Sequence, residues 1–599
     1  MTNDQTRIQL SRRAFLEATA LTAGALAAAP IIAQAASRPG ARTAAPTAAQ
    51  DGGATSDFGV ALPADAAPKE YQFVQTTQPS SGLGWKAMDP LESIYSSFPG
   101  YANLSEGLVR VDKDWNVKPA HATDWAVSDD GMSWTFNLQP GLKWTNGDEV
   151  TADDYVASFQ YAADPKHAWD FTWYYDGIIR NFGQAARGEA APTEIGVKVG
   201  KDKYQVVFET ERPTPFLPAM LIWSQPLHAA SLAKYGSGVY NIDPATSVTN
   251  GPYKLEEFSP DRRVVMAANP DYTGSLKPMI DKLVFNITSG GSDFARYQAG
   301  EIDTTVNVGP GDLKTVLADP VLSKEWFVNP GDFRNYYVFF DTKKPPFDDQ
   351  RVRMAFAKAI DREAIVKGIL DPMAIPAYTW LMPGFPDADQ AALKDIQAFD
   401  PEAAKQLLAD AGYPNGEGFP AQTLVIRGGG PETTPAVTQA VAASISQTLG
   451  VQIDLQTLDQ PVFMEQLLSE DTIPFGWVTY GMDYLDATNM LSVWKSGGRH
   501  NWDNAEFDKL VEEGGAITSD PAARSKAMKD AERLLVESAA GAFVYHPLIG
   551  QLQKPYRMGS WKDANATGYT GSQWPGESPM TLVYDTLYNG ADVVTQRKS

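Results

Sequence analysis

Five histidines, His121, His167, His228, His500 and His546, are spread through the chain, and no two stand close enough in sequence to share a metal. Zinc and related ions need several imidazoles or carboxylates on one face, as in an H-E-x-x-H helix, and that pattern is absent. Each histidine therefore reads as a surface or core residue. Cysteine is missing altogether, which excludes disulfides, thiolate metal sites and a cysteine nucleophile. No G-x-S-x-G elbow, Walker loop or strand-anchored dinucleotide fingerprint occurs. Gly428-Gly429-Gly430 follows a strand-like run, but Pro431 comes next and the phosphate-loop Lys-Ser/Thr is missing, so it reads as a loop. Asp129-Asp130-Gly131 lacks the later ligands of a calcium loop and reads as a turn. Asp153 and Asp154 are explained as helix-start acids. No catalytic residue, metal or cofactor is assigned.

The elements that position the remaining polar residues are short strands alternating irregularly with capped helices. Strand-like runs occur at Ile195–Val199, Tyr204–Thr210, Thr423–Ile426 and Val451–Leu458. Thr151 followed by Asp154 is a capping box that opens a helix carrying Tyr155, Val156 and Phe159. Asp400-Pro401 starts a helix that runs to Ala411 and stops at Gly412 and Pro414; Asp520-Pro521 repeats the device. In Arg351–Leu370, one apolar face includes Val352, Phe356 and Ile360, and Asp361 restarts the helix in a new direction. This mixture predicts α/β lobes rather than a sandwich or bundle.

At 599 residues the chain is too long for one ordinary core, so two or three lobes are expected. Its first residues include Ser11-Arg12-Arg13-Ala14-Phe15-Leu16, then an alanine-rich stretch and a small-residue site around Ala33-Gln34-Ala35. That is the layout of a twin-arginine export signal over residues 1–35, with the mature chain beginning near Ala36. Residues 36–68, rich in Ala, Thr, Pro, Gly and Ser, read as a flexible linker. The formal net charge is −23; the signal carries three arginines and two acids, so its removal leaves −24. Such a surface repels nucleic acid and anionic lipid. Beyond the signal no run reaches the roughly 20 apolar residues that cross a bilayer, so no membrane insertion is expected. Without cysteine there is no lipoprotein anchor, and the product is expected to be soluble and exported, periplasmic or extracellular.

Several segments resemble the peptide/nickel family of extracellular solute-binding proteins, the receptors of ABC importers. The longest runs from Glu106 to Gln160 and contains WAVSDDGMSWTFNLQPGLKWTNGDEVTADDYVASFQ. Others follow in family order: NGPYKL from Asn250, NPDY from Asn269, YQAGEID from Tyr297 and KPPFDDQRVRMAFAKAIDREAI from Lys344. AAKQLLADAGYP from Ala403, GMDYLDATNML from Gly481 and NAEFDKLV from Asn504 complete the set, and the similarity covers roughly 69–560. The oligopeptide-binding branch looks most similar.

The resemblance implies a type II periplasmic-binding-protein-like fold of three lobes, with ligand held by hinged closure. Lobe I would be built from 69–106, 216–335 and 541–599, lobe II from 107–215, and lobe III from 336–540. Crossings near Asn335–Tyr337 and Ala540–His546 would form the hinge.

A receptor of this kind removes its ligand from water, so each buried charge needs a partner. In the resembling peptide receptors an aspartate pairs with the ligand's α-ammonium; that position is Asp483 here, where an ordinary loop carboxylate is the competing reading. Tyr480, Gly481 and Trp477 lie beside it in sequence, offering backbone hydrogen bonds and aromatic walls. Tyr95, Ser96 and Phe98 fall where the first lobe's contacting loop would sit, and Trp494 and His546 are further candidates. One departure stands out: Phe463–Tyr484 contains no Lys or Arg, whereas oligopeptide receptors have a basic residue near the place of Trp477. A ligand carboxylate would be met by a remote arginine or by solvent, unless the ligand has none. Aromatic walls also suit sugar rings. The sequence therefore implies a non-enzymatic, monomeric receptor for oligopeptides, with oligosaccharides as the alternative ligand, ABC permease subunits as partners, and a secreted hydrolase as the more distant competitor.

Overall fold

The computed structural model describes residues 54–80, 85–112, 116–236, 241–289, 291–470, 472–559 and 587–598. The export signal expected over 1–35 and the linker as far as residue 53 lie outside the described residues. The described residues divide into two compact units: Pro330–Leu548, and a discontinuous unit formed by those up to Asn329 and from Ile549 onward.

The Pro330–Leu548 unit is built on six strands: β1 Asn335–Phe340, β2 Ala374–Pro376, β3 Gln422–Arg427, β4 Ile453–Leu458, β5 Phe475–Tyr480 and β6 Gly541–Pro547. Their order across the sheet is β2-β6-β1-β5-β3-β4. β3 runs parallel to both β4 and β5, while β1 is antiparallel to β5 and β6. Helices form where their ends are signalled. Asp400 accepts the Ala403 N–H at 3.0 Å to open Pro401–Asp410, and Asp520 accepts that of Ala523 at 2.9 Å to open Pro521–Ser538. The apolar face expected in Arg351–Leu370 is buried on Gln350–Lys358, and Asp361 caps a fresh start by accepting the Ala364 N–H at 3.0 Å. Phe340, Phe347, Phe356 and Phe475 interlock beneath the sheet, with centroids 4.9–6.1 Å apart.

The discontinuous unit holds a seven-stranded sheet centred on Phe73–Pro79 and Lys282–Thr288, which pair in parallel. It also holds an antiparallel four-stranded sheet in the order Ala122–Val127, Ser133–Leu138, Gln205–Glu209, Val197–Val199. The first two of these strands are joined through Gly131 at φ +72°, with Asp130 accepting the Met132 N–H at 3.0 Å, so the Asp-Asp-Gly motif is a turn. Helix Ala152–Ala162 covers this sheet, its Phe159 meeting Phe208 edge-on at 5.2 Å. The capping box is present: Asp154 reaches back to the Thr151 N–H at 3.0 Å.

Residues 54–68 correct the reading of 36–68 as a flexible linker. Ser56 Oγ donates to the Pro278 carbonyl at 3.0 Å, Ala67 N–H to that of Asn589 at 2.8 Å, and Phe58 packs edge-on against Tyr253 at 5.6 Å. A segment of small residues lacks the apolar surface to fold alone, yet it buries readily on a surface built by others. Among the described residues no helix is long and apolar enough to cross a membrane.

Candidate ligand-binding site

The residues expected to touch ligand divide between the units. Tyr480, Gly481, Asp483, Trp477, Trp494 and His546 belong to Pro330–Leu548; Tyr95, Ser96 and Phe98 belong to the other. In the first unit, Asn335 at the start of β1 pairs with Tyr480 at the end of β5, and Ile426 near the end of β3 pairs with Trp477. The carboxyl ends of β3 and β5 and the amino end of β1 thus share one edge of the sheet. In open α/β sheets that edge is where ligands bind.

Asp483 lies just past this edge, partly buried. Tyr480 Oη donates to its Oδ2 at 2.6 Å, Asn489 Nδ2 donates to the same oxygen at 3.1 Å, and the Asp483 N–H donates to Asn489 Oδ1 at 2.8 Å. Burial pushes the carboxyl up to about 6, against the pull of those two hydrogen bonds and of nearby Arg334. Asp486 has a different job. It caps helix Ala487–Ser492 by accepting the Thr488 N–H at 3.0 Å, and it pairs with Arg524 at 2.7 Å. Of the two acids in this segment, Asp486 caps a helix and pairs with Arg524, and Asp483 accepts from Tyr480 and Asn489 at the sheet edge.

Gly481 is demanded by a close approach. A Cβ there would overlap Asp332 Oδ2 and lie 2.6 Å from Asp332 Cγ and 2.9 Å from Arg334 Nη2. Asp332 and the partly buried Arg334 form an ion pair, with Arg334 Nε donating to Asp332 Oδ1 at 3.2 Å. His546 Nδ1 donates to the Arg334 carbonyl at 3.0 Å, and burial pushes its imidazole down to about 4, so it remains neutral. Trp477 is 2% exposed and stacked 6.1 Å from Tyr336. Trp494 is buried against Tyr337 and Trp380, each at 5.5 Å. Both indoles are packed in the interior beneath the edge.

In the discontinuous unit, the loop bearing Tyr95 and Ser96 is pinned by Asp170, which accepts the Ile94 N–H at 2.9 Å and the Ser93 hydroxyl. Ser96 N–H donates to Ser93 Oγ at 3.0 Å, and Tyr95 meets Phe171 edge-on at 6.2 Å. The aromatic motif Trp169–Tyr175 therefore holds this loop. Phe98 is fully buried, 5.2 Å from Phe285.

Sequence reasoning missed Asp332, Arg334, Asn489, Arg427 and Arg499. A usable signal existed for one of them: Arg427 is a lone basic residue closing an apolar strand immediately before three glycines. Asn489 stands six residues past Asp483 and Asp332 two before Arg334; what sequence could not show is that the pairing of β1 with β5 brings 332–334 beside the segment that follows Tyr480. The histidines are all absorbed by packing: His121 Nδ1 bonds Tyr155 Oη at 2.8 Å, His167 Nε2 the Leu91 carbonyl at 2.8 Å, and His500 Nε2 Tyr337 Oη at 2.9 Å. His228 accepts the Ser231 N–H at a helix start. Among the described residues no group of His, Asp or Glu could hold a metal ion.

Residues 116–502 match the family model described as bacterial extracellular solute-binding proteins, family 5, middle region. The chain belongs to this family. The periplasmic oligopeptide-binding protein OppA of Salmonella typhimurium is 30% identical over 524 residues, spanning 85% of this chain and 91% of that protein. The probable deoxycholate-binding periplasmic protein YgiS of Escherichia coli is 28% identical over 491 residues, 79% of this chain and 87% of that one. Among solved structures, the unliganded open form of the murein tripeptide binding protein MppA aligns with TM-score 0.73 at 25% identity, over 88% of this chain and 99% of that chain. This family 5 protein thus has the mixed α/β fold of type II periplasmic binding proteins, as the sequence implied.

Proposed function

We propose that this family 5 protein is the substrate-binding component of an ABC importer, capturing oligopeptides and passing them unaltered to membrane permease subunits. Asp483 carries the reading. A carboxylate fixed by Tyr480 and Asn489 at the carboxyl edge of the sheet is preoriented to accept a peptide's α-ammonium. An added strand could bond the backbone near Tyr480 and Gly481, with side chains of the peptide received by less specific pockets.

Among the described residues the chain passes between its two units twice, at Asn329–Pro330 and Leu548–Ile549. Asp332 and Arg334 directly follow the first crossing in sequence, and His546 precedes the second. In this reading the segments near Asn335–Tyr337 and Ala540–His546 act as a hinge, residues 107–215 form a second lobe beside the discontinuous first, and closure signals occupancy to the permease. The protein works as a monomer, exported by its twin-arginine signal and free of a lipid anchor.

The test combines intrinsic fluorescence and small-angle scattering of the purified protein with tri- to pentapeptides, and with oligosaccharides and deoxycholate as competitor classes. Peptides are expected to shift the emission of the tryptophans and compact the particle. A response to sugar or bile salt alone would replace the substrate class, and turnover of peptides into products would replace the receptor by an enzyme.

A further inference from the structure

In the discontinuous unit, helix Ala229–Tyr235, the turn at 145–148, the segment 244–248 and the start of strand Tyr253–Ser259 line a cavity of about 520 Å³. That volume lies within the roughly 300–1,000 Å³ of small-molecule sites. None of its residues takes part in the site around Asp483. Its walls are tied together. Thr145 N–H donates to the Thr249 carbonyl at 2.8 Å, and Thr145 Oγ1 accepts the Thr249 N–H at 3.1 Å. His228 is 5% exposed and packs 5.1 Å from the Trp144 ring. Its Nδ1 accepts the Ser231 N–H at 3.3 Å and the Ser231 hydroxyl at 2.8 Å. The ring N–H is therefore at Nε2, which donates to Asp148 Oδ2 at 3.1 Å. Asn146 Nδ2 donates to the same oxygen at 2.7 Å.

Three polar groups on this cavity remain uncommitted. Both bonds to Asp148 fall on Oδ2, which leaves Oδ1 open among the described residues. Ser247 Oγ is buried and has no hydrogen-bond partner among those residues. Lys254 is exposed, and there it has neither an ion pair nor a hydrogen bond. Tyr235 adds an aromatic ring, 39% exposed. The mixture of charges selects the ligand. An anion would meet the Asp148 carboxylate, and a cation would meet the ammonium groups of Lys234 and Lys254. A zwitterion would pair both charges but leave Ser247 and the ring unused. A hydroxyl donates and accepts at once, so a neutral polyhydroxyl ligand satisfies carboxylate, ammonium and serine together. Walls already held in place cost little to order on binding.

We propose that this cavity binds a small saccharide, its hydroxyls bonded to Asp148, Ser247 and Lys254 and its apolar face set against Tyr235. The proposal does not depend on what Asp483 binds. The saccharide is either a free sugar or the end of a glycan chain, and the hydroxyl chemistry is the same for both.

Saturation-transfer NMR and titration calorimetry on the purified protein separate these sources. The probes are glucose and N-acetylglucosamine as free sugars, maltotriose and chitotriose as chain ends, and alanine and glucose 6-phosphate as charged competitors. At least one of the four neutral saccharides is expected to bind. A trimer tenfold or more tighter than its monomer marks a chain end, and a smaller difference marks a free sugar. Asp148→Asn and Lys254→Met are each expected to weaken that saccharide about tenfold. Lys254 is exposed, so its variant keeps the test decisive should Asp148→Asn not fold. Excess tri-alanine is expected to leave saccharide binding unchanged. Absence of binding by all four, affinity unaltered in the variants, or displacement by tri-alanine would overturn the assignment of this cavity. Tighter binding of alanine or glucose 6-phosphate than of any neutral saccharide would overturn the ligand class.

Discussion

Replacing Asp483 with asparagine separates what the carboxylate does for a ligand from what it does to the fold. Tyr480 Oη and Asn489 Nδ2 both donate to Oδ2, so an amide oxygen in that place keeps both hydrogen bonds. What disappears is the buried charge. The folded carboxyl holds its proton up to about pH 6, whereas an unfolded aspartate releases it near 3.9. The native state therefore binds the extra proton between those values, so stability falls as pH rises through that window and the full penalty is present above it. The gap corresponds to about 3 kcal/mol. Asp483→Asn without ligand should accordingly be more stable at pH 7.5 by up to about 3 kcal/mol, and no different from wild type near pH 4. Binding moves the other way. A peptide's α-ammonium would be left unpaired in a dry site, at a cost of about 3–5 kcal/mol, or some two to three decades in Kd. Wild-type affinity should also weaken about tenfold per pH unit below 6, where the carboxyl regains its proton. Denaturant titration at the two pH values reads the first effect, and calorimetry with tri-alanine the second. A variant that is less stable at pH 7.5 yet binds tri-alanine as tightly as wild type would refute the reasoning, because Asp483 would then be an anchor of its own loop.

Glu532 is fully buried, accepts the Leu381 N–H at 2.7 Å, and is pushed by desolvation up to about 8. Since the unfolded chain ionises this group near 4.3, stability should drop as pH climbs from there to 8, by about 2 kcal/mol between pH 6.5 and 8. Glu532→Gln should lose that slope, and parallel melting curves for variant and wild type would argue against it. Gly481→Ala places a methyl on the Asp332–Arg334 pair, so the expected result is a loss of about 1–3 kcal/mol from overpacking, together with weaker peptide binding; unchanged denaturation would mean that the pair shifts freely. Trp477→Ala empties a stacked interior position beside Tyr336 and should cost about 3–5 kcal/mol of stability, against which an unaffected denaturation midpoint would show that the ring packs loosely.

Local chemistry made much of this protein legible in sequence. The caps at Asp400 and Asp520, the Thr151–Asp154 box, the Asp-Asp-Gly turn and the strands ending at Glu209, Arg427 and Leu458 are decided by neighbours a few residues apart, so a window of sequence contains their cause. Eight ordered segments also carried the family resemblance. Packing was less legible: composition alone assigned 54–68 to a tether, because it registers large apolar side chains and not the surface elsewhere that small ones fill.

The sequence by itself determined that the chain is α/β, strongly acidic and free of cysteine, and that an acid occupies position 483. Which of its charges are spent on folding was decided only by the tertiary structure. Asp483 and Asp486 look equivalent in a row of letters, yet one meets Tyr480 and Asn489 while the other meets Arg524. Arg427, Arg499 and Arg334 read as three unrelated basic residues. They converge because the order β2-β6-β1-β5-β3-β4 sets strands remote in sequence side by side. Pairing energies act over ångströms, and sequence distance carries no information about them once the chain has folded back on itself.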